Sequence, residues 1–245
     1  MTVPAFTLVP ARGRTPLLLL CDHASNALPP GTGDLGLDGA RLATHIAWDI
    51  GAARVTMELA GAFGAAAVLG RWSRLLIDLN RGPDDPTLVM KLSDGSIIPG
   101  NRDVDEAEIA RRIAAFHAPY HEEVARQAAR IAGLATPVLV SVHSFTPSWK
   151  GRARPWQVGV LYDRDTRLAA PLMAALRAEG LTVGDNEPYS GALEGDTLNR
   201  HGTRMWRPHV LIEIRQDLLE DGAAAAAFAR RLTPVLAAAL ENMGV

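Results

Sequence analysis

Three short, largely apolar runs in this chain each end in a residue suited to metal-assisted hydrolysis. Residues 17–20 run into Cys21, Asp22 and His23, residues 138–142 into His143, and residues 210–212 into Glu213. Hydrolysis at zinc needs three protein ligands, one open coordination position and a nearby carboxylate that handles protons. His23 and His143 meet the first need if their strands adjoin. Glu213 meets the last, because an acid set among Leu211, Ile212 and Ile214 is costly unless a partner or a metal compensates it. The duller alternatives are hydrogen-bonded structural imidazoles and an ion pair between Glu213 and Arg215 or another arginine. Asp49 is the candidate third ligand, as an acid on the helix that follows the first strand. Asn26 and Asp22 compete with it, Asp22 being better suited to orienting a ligand histidine.

Substrate contacts are expected elsewhere. In residues 74–81 strand alternation sends Arg74, Leu76, Asp78 and Asn80 to one face. An arginine fork recognises carboxylates and an asparagine amide can bond the same anion, so Asn80-Arg81, with Arg74, forms a candidate anchor for an acidic substrate. Asp78 fits an arginine–aspartate pair better. His201, in a polar loop, and Arg215, beside Glu213, complete the candidate substrate contacts. His117 and His121 have i,i+4 spacing, but Pro119 lies between them and no His-Glu-x-x-His pattern is present, so they read as structural. Cys21 reads as a buried strand thiol, and Ser144 lacks a nucleophile elbow.

These groups must be delivered by elements. The apolar patterning predicts strands at 17–21, 66–69, 75–79, 138–142, 157–162, 181–183 and 210–214. It predicts helices at 39–59, 105–132 with a break at Pro119, 167–179 and 222–240. Residues 84–103 form a long loop of lid or binding type, and 185–204 a second, polar loop. Alternating strands and helices make a three-layer α/β/α sandwich with a mixed, largely parallel sheet, whose ligand crevice lies at the strand carboxyl ends.

The chain has 245 residues, which suits one domain over 1–245. Its 25 basic and 27 acidic residues give a formal charge of -2, no electrostatic footprint for nucleic acid or an anionic membrane. No stretch reaches the ~18 to 20 apolar residues of a membrane span. A small anionic molecule is therefore the expected partner. One cysteine excludes a disulfide framework and suits a reducing compartment, with the cytoplasm as default.

Taken in order, Asp22-His23-Ala24-Ser25-Asn26, the segment from His45 through Asp49 to Ala52, Ile77-Asp78-Leu79-Asn80-Arg81, Tyr120-His121, Val142-His143-Ser144-Phe145 and Leu211-Ile212-Glu213-Ile214-Arg215 resemble the N-formylglutamate amidohydrolase family. The resemblance runs over roughly residues 15 to 240 and implies a zinc-dependent exopeptidase-like fold. It implies His23 and His143 as metal ligands, Glu213 as general base and Asn80-Arg81 as an anion-binding pair. Asp49 then stands in for the glutamate that the wider zinc-exopeptidase pattern has three residues after the first histidine, where this chain has Asn26. The implied reaction is zinc-dependent hydrolysis of N-formyl-L-glutamate to formate and glutamate. Another N-acyl amino acid or a small peptide is the alternative substrate, and a non-catalytic small-anion binder is the alternative of another class.

Overall fold

The computed structural model describes residues 3–244. In chain order the elements are β1 (Phe6–Val9), β2 (Leu17–Cys21), α1 (Gly39–Leu42), α2 (Ala52–Phe63), β3 (Ala66–Gly70), β4 (Leu92–Ser93), β5 (Ser96–Ile97), α3 (Glu106–Arg112) and α4 (Ala118–Ala132). They continue with β6 (Val138–Phe145), β7 (Ser148–Trp149), β8 (Arg152–Ala153), β9 (Val158–Leu161), α5 (Ala169–Ala178), β10 (Val183–Asp185), α6 (Thr197–His201), β11 (His209–Arg215) and α7 (Gly222–Asn242). Seven strands form one mixed sheet in the order β1-β3-β2-β6-β11-β9-β10. Its centre, β3-β2-β6-β11, is parallel, whereas β1 pairs antiparallel with β3 and β9 antiparallel with β11. The two other strand pairs are small hairpins, β4-β5 and β7-β8.

The period-2 alternation of strands divides the side chains between two layers. Leu17, Leu19, Val138, Val140, Val210 and Ile212 enter the core that also takes in residues of α2, α5 and α7. Leu18, Leu20, Leu139 and Leu211 lie on the other face, with Tyr120, Val124 and Ala128 of α4. Continuing that second face along β6 and β11 brings up Ser141, His143 and Glu213. The register aligns Glu213 with His143, so these two side chains stand next to each other on one face of neighbouring strands. α7 has the length and apolar composition of a membrane span. It packs Ala225, Phe228, Leu232 and Leu236 into the core, and half of that apolar window is buried.

Three expectations about elements change. Residues 75–79 are not a strand: the free edge of β3 is taken by β1, which the sequence reading lacks, and 73–78 folds as turns tied by Ser73 to Ala47 O and Ala27 O. The helix expected at 39–59 breaks into α1 and α2, so Asp49 lies in the turn before α2 rather than inside a helix. The helix at 105–132 is continuous through a π-turn (Ile113–His117), in which the Ala118 N–H bonds Ile113 O; Pro119, with no N–H of its own, follows directly.

Gly51 marks where α2 begins. It precedes α2 with φ of 80°, and a Cβ there would lie 2.5 Å from Leu219 Cβ. No other residue takes that conformation and that space together. Gly51→Ala is expected to cost about 2 kcal/mol from the left-handed backbone and the overlap, lowering Tm by roughly 4–8 °C for a chain of this size. Thermal unfolding followed by circular dichroism measures it.

Candidate active site

The carboxyl ends of β2, β6 and β11 open into a cleft of about 460 Å³, within the usual range for a small-molecule site. Its floor carries His23, Asp49, His143 and Glu213, and Arg74, Asn80 and Arg81 line it as well. His23 lies two residues past the end of β2, and its carbonyl accepts the Asp49 N–H at 2.9 Å, which ties the turn before α2 to the end of β2. Asp49 is thereby delivered by a backbone bond that the sequence does not announce.

Both imidazoles present Nδ1 to the same oxygen. His143 Nδ1 lies 2.7 Å and His23 Nδ1 3.4 Å from Asp49 Oδ2. The ring centroids are 5.0 Å apart and nearly perpendicular. The opposite nitrogens are held from behind: His23 Nε2 is 2.7 Å from Asp78 Oδ1, and His143 Nε2 is 3.1 Å from Asp22 Oδ2 and 3.0 Å from Ser141 Oγ. Thr197 Oγ1 donates to the other oxygen of Asp22 at 2.8 Å, and Arg74 donates twice to Asp78 Oδ2. Carboxylates behind ligating histidines fix ring orientation and raise ligand basicity, the usual support of a metal site.

The ionisation of the cluster tells the same story. Burial by itself would lower His143, but its bonds to Asp22 and Asp49 outweigh that and raise it well above the ordinary value. Burial would raise Asp49, yet the two imidazoles hold it well below the carboxylate range; Asp78 is held down likewise by Arg74 and His23. The buried field around the two rings is thus strongly negative and favours positive charge. His23, Asp49 and His143 offer ligand atoms within 4.8 Å of one another, a spacing that one metal ion can span. Two imidazoles and a carboxylate are donors that zinc accepts, so this donor set fits such an ion.

Glu213 faces this group from the adjacent strand. Burial, reinforced by Asp49, raises its pKa to about 7 against the opposing pull of the two imidazoles and Arg74. Its Oε2 is buried and finds no hydrogen-bond partner among the described residues. The duller alternative, an ion pair of Glu213 with Arg215 or another arginine, is not formed among the described residues. Opposite Glu213 in β9 stands Gly159, where a Cβ would meet Glu187 O at 2.1 Å; the chain from Glu187 to Leu193 therefore lies directly on the sheet here and supplies Tyr189 and Ser190 to the cleft wall.

Two expected substrate contacts lie elsewhere. His201 is buried in α6, stacked on His121 and away from the cleft lining, because the 185–204 loop forms a helical turn there. Arg215 turns off the end of β11 to pair with Asp217 and to donate to the carbonyls of Arg154, Pro155 and Trp156, so it secures the segment before β9. Asn26, the rival third ligand, donates to Leu42 O. Cys21 is buried, and burial pushes its thiol up, as for a packed strand residue. Asp196 and Tyr189, in a polar segment with no periodic pattern, also line the cleft and were not expected there; so does His209, which opens β11 on the face of Leu211 and Glu213.

A family model described as N-formylglutamate amidohydrolase matches residues 15–220. The N-formylglutamate deformylase of Pseudomonas aeruginosa is 29% identical over 208 residues, covering 78% of this chain and 76% of that protein. The solved structure of a gene product of Agrobacterium tumefaciens superposes with a TM-score of 0.93 at 38% identity, covering 100% of this chain and 98% of the other. The N-formylglutamate amidohydrolase of Ralstonia eutropha shares the fold with a TM-score of 0.73 at 23% identity, covering 96% of each chain. The site is thus carried by a mixed α/β/α fold held in common with these proteins, and the chain is an amidohydrolase that belongs to the N-formylglutamate amidohydrolase family.

Proposed function

We infer that this chain hydrolyses the formyl amide of N-formyl-L-glutamate, releasing formate and glutamate, and that it does so with one zinc ion held by His23, Asp49 and His143. The observation that carries this reading is the convergence of both Nδ1 atoms on Asp49 Oδ2, each ring backed by a buried carboxylate, opposite a glutamate with an unpaired oxygen. Family membership supports the formyl amide as the bond cleaved. The formal -2 charge and the lone buried cysteine agree with a cytoplasmic enzyme of a small anionic substrate.

The bound ion would supply Lewis acidity, polarising the scissile carbonyl and acidifying water. Glu213 takes the proton of the attacking water at its free Oε2 and passes it to the departing amine nitrogen, so one carboxylate serves both halves of the reaction. Asn80 and Arg81 hold a substrate carboxylate: Asn80 Oδ1 accepts the Thr197 N–H, which leaves its Nδ2 without a protein partner among the described residues and free to donate into the cleft. Arg74 keeps Asp78 ionised behind His23 and stays at the cleft edge, 3.7 Å from Asp49 Oδ1.

Glu213→Gln is expected to lower kcat by about 10²- to 10⁴-fold while metal content and Tm stay at wild-type values, since the substitution removes a costly buried charge and breaks no hydrogen bond of Oε2 to the described residues. Turnover above a tenth of wild type would remove Glu213 from the proton-transfer role. Only the ionised carboxylate accepts a proton, so kcat/KM should fall on acidification below a Glu213 pKa that lies at about 7 and that a bound cation draws lower. The rate profile from pH 5 to 9, compared with that of Glu213→Gln, reads this limb. Elemental analysis of the purified protein should give one divalent ion per chain. Chelation should abolish formate release and zinc should restore it. Asp49→Asn should weaken metal retention, and turnover insensitive to chelator would end the metal reading. Formate release from N-formylglutamate compared with acetate release from N-acetylglutamate decides the acyl group.

A further inference from the structure

His117 and His121, which have no part in the chemistry above, bond the turn that carries the anion-binding pair. Residues 79–81 belong to no strand or helix, so their carbonyls lack ladder partners and must be satisfied otherwise. All three are satisfied by side chains. Leu79 O accepts from His121 Nε2 at 3.0 Å. Asn80 O accepts from Arg81 Nη1 at 2.8 Å, and Arg81 O accepts from His117 Nε2 at 2.9 Å.

The tautomers follow from these partners. A carbonyl accepts only, so His117 and His121 each carry their proton on Nε2. His121 Nδ1 is then an acceptor, and its neighbour at 3.0 Å, His201 Nε2, donates to it. Each ring donates in one fixed direction, and burial lowers all three imidazoles below their ordinary value, which keeps them neutral. The π-turn before Pro119 adds one residue to the helical turn that precedes α4, and both rings meet the turn at 79–81, 36 and 42 residues away in sequence.

We propose that His117 and His121 are positioning residues for the substrate carboxylate: through the carbonyls of Arg81 and Leu79 they fix the turn from which Asn80 Nδ2 and the Arg81 guanidinium reach the ligand. The proposal rests on the function inferred above. Among the described residues, the other partners of Arg81 are Thr87 Oγ1 at 3.1 Å, its own neighbour's carbonyl, Asp85 at 3.8 Å and, for its backbone N–H, Asp78 O at 3.3 Å, all within the same stretch of chain. The imidazoles connect that stretch to a long helix packed on the sheet, and a ligand charge held by a rigid donor pair loses less freedom on binding than one held by a loose loop.

The experiment measures kcat and KM for N-formylglutamate and its two monoamides, and Kd for L-glutamate by calorimetry, on the zinc-loaded protein. Variants are His117→Ala, His117→Gln, His121→Ala, Arg81→Ala and the double variant of Arg81 and His117, each checked by circular dichroism. Loss of one such bond is expected to raise KM and Kd about tenfold on N-formylglutamate with kcat within about twofold of wild type. His117→Gln, whose amide nitrogen occupies the place of Nε2, should recover most of that loss. The penalty should vanish on the monoamide that lacks the carboxylate held by Arg81, and should not add to that of Arg81→Ala. Equal losses on all three substrates, additivity with Arg81→Ala, or a folded His117→Gln no better than His117→Ala would each overturn the positioning role while leaving the proposed reaction standing. A wild-type protein that cleaves none of the three substrates overturns the proposed function, and this proposal with it. If His121→Ala fails to fold, the His117 series decides.

Discussion

The geometry of the cleft hangs on one carboxylate taken out of water. Asp49 is 4% exposed and shares a single oxygen between two imidazoles that come from different strands. Removing a charge of that kind from solvent is unfavourable by several kcal/mol unless partners compensate it. The compensation requires β2, β6 and the turn before α2 to stand in one arrangement, because no other placement brings both rings to the same oxygen. The backbone bond from the Asp49 N–H to His23 O holds that arrangement from the main-chain side.

Around this centre, charge is distributed in pairs. Asp78 is answered by Arg74 and His23, Asp22 by His143 and Thr197, and with both imidazoles neutral the aspartates outweigh Arg74. Such a cluster is weak evidence of stability, since apolar residues of similar size would pack there at less electrostatic expense. Such a cluster fits a bound cation, and burial raises the pKa of Glu213 on the neighbouring strand.

The sequence made the centre legible because short apolar runs with polar ends have few alternatives to buried parallel strands, and strand ends gather at one edge of such a sheet. His23, His143 and Glu213 were visible in that way. Asp49 was visible as a residue and not as a place: α2 begins only after Gly51, and a glycine at a left-handed position looks in the sequence like any other glycine. Residues 74–81 alternate like a strand, yet the edge they would join is occupied by β1, a competition that only the assembled sheet decides. His201 and Arg215 failed as substrate contacts because proximity in sequence to a functional residue says nothing about the direction of a side chain once a strand ends or a loop closes into a helical turn.

The pinning of Glu187 on Gly159 has a meaning of its own. At Gly159 the roof over Glu213 meets the sheet with main chain, the Glu187 carbonyl against the glycine α-carbon. The height available to an acyl group there is consequently a property of the backbone. Exchanging side chains along the wall can roughen or smooth this chamber, but it cannot lower a ceiling that already lies on its support, and raising it demands that the sheet itself carry something larger than hydrogen at that point.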